Sequence, residues 1–243
     1  MRTAFRIVAG VFGIAIIGLS LPFTIASFVD DAQAIHRLHN VAGLLGFGVL
    51  LGGSLLVMAR DPDSIGPFWV ATASGIATTL AGLISGDFIS GIYYTAPIGI
   101  VLIVALHPDR RALFDVEGVD VPTFSLALAA AVPAVVFALT QAELQRNGAV
   151  ADPHVEFHHY SGMASYSLAL PLAAFGASLR VPGRRAAVWI VGLVGAGLGI
   201  ASLALGDHAG AFDAPWAWLA LAWGVALIGV AELSSRERTR TPA

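Results

Sequence analysis

Eight continuous apolar runs, near residues 7–29, 40–59, 67–86, 90–107, 122–142, 160–179, 186–206 and 215–232, leave this 243-residue chain few folds to choose from. Each is close to the roughly 20 residues an α-helix needs to cross about 30 Å of hydrocarbon. The runs do not alternate polar and apolar positions, which excludes a β-barrel, and backbone groups in lipid must then be satisfied within each helix. Composition agrees, since 57% hydrophobic residues, 12% charged residues and a mean hydropathy of +0.80 lie far from the soluble globular range. The expectation is an all-α integral membrane protein of eight transmembrane helices.

Arginine sets the orientation, because the chain has no lysine. With a cytoplasmic N-terminus, Arg2, Arg6, Arg60, Arg110, Arg111, Arg180, Arg184, Arg185, Arg236, Arg238 and Arg240 fall inside, and only Arg37 and Arg146 outside. That bias follows the positive-inside rule and places both termini in the cytoplasm of a multi-pass cell-membrane protein. The first apolar run is longer than a signal-peptide core, so it counts as helix one despite the small-residue Ala32-Gln33-Ala34 that follows it.

A second pattern divides the chain. Arg60, Pro62, Trp69, Gly75, Gly86 and Asp87 recur 120 residues later as Arg180, Pro182, Trp189, Gly195, Gly206 and Asp207, and the same ungapped register lays His39 on His159. Segments 39–87 and 159–207 share ten identities, and the scarce residue types among them carry the weight. The hydrophilic stretch from His107 to Asp120 marks the seam. Two parallel four-helix repeats follow, 1–120 and 121–243, related by an axis along the membrane normal.

On this topology His36, His39, His154, His158, His159 and His208 lie on the outer face, with Asp30, Asp31, Asp87, Glu143, Asp152, Glu156, Asp207 and Asp213. His39 and His159 open helices two and six, while Asp87 and Asp207 end helices three and seven after a glycine. These ends share one height, so a His/Asp cluster of His39, Asp87, His159, Asp207 and His208 is the candidate metal site. Imidazole nitrogen and carboxylate oxygen together suit zinc, iron or manganese. His36 and His39 at i,i+3, and His154 and His158 at i,i+4, share a helical face if their helices extend that far; no HExxH motif is present. Helix-end His and Asp also serve as solvated caps, and that reading stands beside the first.

The same histidines suit axial ligation of haem between helices of a bundle. Ile35-His36-Arg37-Leu38-His39 before a Gly-rich apolar helix, and Glu156-Phe157-His158-His159 at the matching point of the second half, resemble the His-Arg and Glu-x-x-His helix starts of the haem A synthase family. That family also has eight spans in two similar four-helix halves. The resemblance implies that His36 or His39, with His159, faces a haem b, and that Glu156 is catalytic or supporting. Many bacterial members carry a cysteine pair in an outer loop, whereas this chain has no cysteine. A haem-binding relative is therefore the expectation, in place of haem A synthesis itself.

Other chemistries close quickly. Without lysine there is no retinal Schiff base, and without cysteine no Fe–S cluster, thiolate catalysis or disulfide. Gly48-x-x-x-Gly52 and Gly195-x-x-x-Gly199 suit close helix packing. The lipid bilayer is the one sure partner; partner membrane subunits remain open, and no nucleic-acid role is indicated. The leading functional expectation is binding of haem or a divalent transition metal at the outer face, for redox or cofactor handling. A small-solute transporter and a cofactor-free membrane scaffold or partner subunit are the alternatives.

Overall fold

The computed structural model describes residues 1–87, 92–149, 152–206 and 210–240. Among them the chain is all-helical: α1 (Arg2–Val29), α2 (Asp31–Arg60), α3 (Gly66–Ser85), α4 (Ile92–Leu106), α5 (Val121–Asn147), the single turn α6 (Pro153–Glu156), α7 (His159–Ser178), α8 (Arg184–Ala204) and α9 (Ala214–Arg240). Extended pairing among the described residues is confined to one isolated bridge between Val119 and Leu179.

Six of these helices are long and apolar enough to cross a membrane: α1, α2, α3, α5, α8 and α9. The remaining two expected spans have physical reasons for falling short. Polar residues such as His159, Ser161, Ser165 and Ser167 dilute the apolar content of α7, and α4 is described from Ile92 onward, with a shorter apolar stretch, Pro97–Leu106. Both pack inside the same bundle, α7 along α3 and α5, and α4 along α3.

Burial sorts the helices into two shells. α2, α3 and α8 are half-buried or more, while α1, α5 and α9 expose most of their surface. What they expose is apolar, including Ile14 and Leu19 on α1, Val132 and Val136 on α5, and Leu219 and Val225 on α9. Water would penalise such a surface, whereas hydrocarbon accepts it. The core is built from small residues that let backbones approach, with Ala73, Ala77, Ala173, Ala177 and Ala187 packed among Val188, Val191 and Leu198. Glycine takes the closest crossings. A Cβ at Gly13 would lie 2.9 Å from the Gly52 carbonyl of α2, and one at Gly199 only 2.6 Å from the Ala217 carbonyl of α9. The Gly52 and Gly199 ends of the expected small-residue motifs therefore do pack helices together.

Helix ends fix the two faces of the bundle. One face gathers arginines and the short loops: Arg2 pairs with Asp63 at 2.8 Å, His107 Nε2 meets the Pro62 carbonyl at 2.9 Å, and Gly66 N–H donates to Pro182 O at 2.8 Å. There Asp120 caps α5 by accepting from Thr123 N–H and holds the buried Arg184 guanidinium at 3.0 Å. The other face carries the remaining described histidines, His36, His39, His154, His158 and His159. Gly86, at φ 65°, closes α3 in the left-handed conformation that L side chains resist, and Asp87 N–H returns to Gly82 O at 3.0 Å.

Candidate metal centre

Helix α2 does not begin as a regular helix. Asp30 accepts from Ala32 N–H and starts a 3₁₀ segment, Asp31–His36, before the α-helix opens at Arg37. The α1 end is bound to this start at three points: Arg37 Nε donates to Ser27 O at 2.7 Å, Thr24 Oγ1 to Asn40 O at 2.9 Å, and Asn40 Nδ2 to Phe23 O at 3.2 Å. Anchored this way, His36 and His39 turn inward and are buried, only 7% and 5% exposed. Burial of that degree removes the solvated-cap reading for this pair.

The second strand of the site arises from a double helix start. Asp152 caps α6, accepting from His154 N–H at 2.9 Å, and Pro153 occupies the first turn where a missing N–H does no harm. After this single turn the chain bends at His158, which holds φ 58°, the one positive φ of a non-glycine residue among the described residues. That bend breaks the i,i+4 face expected for His154 and His158. It directs His159 inward beside His154 and leaves His158 facing α3. Gln145 of α5 braces the bend, donating to Val155 O at 2.9 Å and accepting from Ser161 N–H at 3.3 Å.

The two starts converge. His36 Nδ1 and His159 Nδ1 lie 3.2 Å apart, the His39 ring stacks on His159 with centroids 4.8 Å apart, and the His39 and His154 centroids are 4.7 Å apart. His36, His154 and His159 each offer one ring nitrogen, all within 4.8 Å of one another. His154 is oriented from behind, with Nδ1 3.0 Å from Asp152 Oδ1, and Tyr160 Oη donates to Asp152 Oδ2 at 3.2 Å. Burial acts to raise the Asp152 pKa, but the backbone N–H and ring of His154 and the Tyr160 hydroxyl outweigh it, so the carboxyl lies below its ordinary value.

The other expected residues are placed as follows. Asp87 is buried but turns to His158, with Oδ2 and Nδ1 2.7 Å apart, and stays outside the three-histidine group. Glu156 is exposed at the end of α6 and is likewise outside the group. Asp207 and His208 lie outside the described residues. Just beyond them the backbone returns to the site at Gly210, where a Cβ would stand 2.5 Å from His39 Nε2. His154 and Asp152 were missed as site residues. Their signal was the Asp-Pro helix start only a few residues before Glu156-Phe157-His158-His159.

A cavity of about 480 Å³ opens beside the histidines, lined by the polar residues Gln33, His36, His39, Asn40, His158 and His159. Its other walls are Leu19, Ser20, Phe23, Phe47, Phe157 and Tyr166, with Gly43 and Gly162 between them. Comparison with protein-family models, curated proteins and solved structures gave no match.

Proposed function

We propose that this chain is a multi-pass cell-membrane protein that binds one divalent transition-metal ion through His36, His154 and His159 at its extracytoplasmic face. The observation that carries the reading is the convergence of three imidazoles from two distant segments. A tetrahedral ion with nitrogens at about 2.0–2.1 Å separates them by roughly 3.3 Å, and His36 Nδ1 and His159 Nδ1 stand 3.2 Å apart. His154, whose Nε2 meets the Ile35 carbonyl at 3.1 Å, completes the set by giving up that contact. Asp152 behind it is the carboxylate that fixes ring orientation in many histidine metal sites. Three protein ligands leave a fourth position for water or substrate, the composition of a catalytic or cofactor-handling site.

A single ion suits these distances better than haem b. Two axial imidazoles must face each other across a porphyrin plane, with nitrogens about 4 Å apart for Fe–N bonds near 2 Å. Here His39 and His159 stack at 4.8 Å with only 14° between ring planes, while His36 meets His159 edge to face. Stacked and edge-on rings leave no slot for a macrocycle between them.

The eight-span, two-repeat architecture with both termini cytoplasmic belongs to the same proposal. Packing order supports it: α1 with α2, α2 with α3 and α3 with α4 correspond to α5 with α7, α7 with α8 and α8 with α9. The register partners His39 and His159 also stack on each other, as residues near a two-fold axis do.

Metal analysis and a Co(II) titration of the purified protein test the reading. About one ion per chain is expected, with Co(II) giving tetrahedral visible bands that vanish in His36→Ala and His159→Ala. A metal-free protein that gives no Co(II) spectrum leaves only the scaffold and transporter readings.

A further inference from the structure

The cavity beside the histidines is amphiphilic along its length. Its wall includes Leu19 and Phe23 of α1, which are 68% and 63% exposed on the outer surface of the bundle. The cavity is therefore continuous with the apolar face that α1 presents to lipid. Elsewhere along its wall it meets Gln33 and the histidines. A ligand lying along it has its tail in hydrocarbon and its head at the metal centre.

Three further features narrow the head. Among the described residues no Asp, Glu, Lys or Arg lines the cavity, so an ammonium head would be desolvated without a counter-charge and an anionic head would find one only at the metal ion, which is costly wherever the ion is absent. The walls are rich in flat rings, Phe23, Phe47, Phe157 and Tyr166, and aromatic faces prefer offset or edge contacts with another ring. Glycine admits one of these rings to the wall: a Cβ at Gly43 would stand 3.2 Å from Tyr166 Oη, and one at Gly162 3.4 Å from it. The volume, about 480 Å³, is within the roughly 300–1,000 Å³ of small-molecule sites.

We propose that this cavity binds a neutral, ring-headed membrane lipid of the quinone or phenol type, its oxygen directed at the three-histidine centre. The proposal deepens the metal reading and rests on it for what the head meets, while the fit of the tail depends on the cavity alone.

The test uses the full chain in neutral-lipid nanodiscs, with decylubiquinone as probe and decyl phosphate as its charged counterpart. Two signals are followed: the unfolding midpoint and the Co(II) absorption of the loaded protein. Expected are a saturable rise of the midpoint with decylubiquinone, a change in the Co(II) bands on its addition, and no saturable effect of decyl phosphate on the metal-free protein. Ser20→Phe, which fills the cavity from α1, should raise the Kd for decylubiquinone at least ten-fold while keeping the Co(II) spectrum. Phe157→Ala, a change at an exposed position, should weaken it several-fold and serves if Ser20→Phe does not fold. The proposal is overturned by an absence of saturation, by equal affinity in a folded variant, by equal binding of decyl phosphate to the metal-free protein, or by Co(II) bands that ignore bound quinone. Failure of Co(II) to bind at all sinks the metal reading instead, and the midpoint series still decides the fit of the tail.

Discussion

At the site, residues act in two layers. His36, His154 and His159 offer the nitrogens, and Asp152 and Tyr160 hold His154 from behind. Asp152→Asn keeps the shape but removes the anionic acceptor, so Co(II) affinity should fall about 10–100-fold; an unchanged Kd would show that Asp152 plays no part in ligation. Asp152 also contributes to pH dependence. Its folded pKa is depressed, so its stabilisation is present above the ordinary carboxylate pKa and is lost as pH falls through the lower folded value. The metal-free protein should therefore lose stability on acidification below about pH 4, the ordinary range for Asp, and Asp152→Asn should flatten that limb in a thermal-melt series.

Elements bring these residues together through their ends. The inward turn of His36 and His39 was legible as a helix start with a Gly-rich follow-on, and Gly86 before Asp87 was legible as a stop. The bend at His158 was not, because its left-handed backbone is imposed by tertiary contacts, Asp87 from α3 and Gln145 from α5. Periodicity therefore extended one helix across His154 and His158 where the chain forms two. That same bend paired Asp87 with His158 in place of His39 or His159. On the opposite face, Asp120 caps α5 while holding Arg184, both nearly fully buried. Asp120→Ala takes the carboxylate from a buried guanidinium and should cost about 3–5 kcal/mol. Unfolding in mixed detergent checks this; a loss near the roughly 1 kcal/mol of an ordinary cap would mean that Arg184 finds water instead.

Over the whole molecule, the sequence made the membrane class plain because spanning length and hydropathy are local properties, and six helices meet them outright. α7 escaped the same criterion although it is central, since a helix enclosed by α3 and α5 can carry serines that lipid would reject. The chain has no cysteine, which makes sidedness simple to measure. Single cysteines placed at Asp63 and at Glu156 should react with a membrane-impermeant maleimide in intact cells only at position 156. Labelling at position 63 would reverse the orientation and put the histidine face in the cytoplasm.

The central claim is a metal ion held between the start of α2 and the starts of α6 and α7. Diffraction data from zinc-soaked crystals, collected on both sides of the zinc absorption edge, test it directly. The account predicts one anomalous peak about 2.0–2.1 Å from a ring nitrogen of each of His36, His154 and His159, with its open side toward Tyr166. A zinc-soaked crystal with no peak there, or with these rings still stacked and zinc bound only at surface carboxylates, would contradict it.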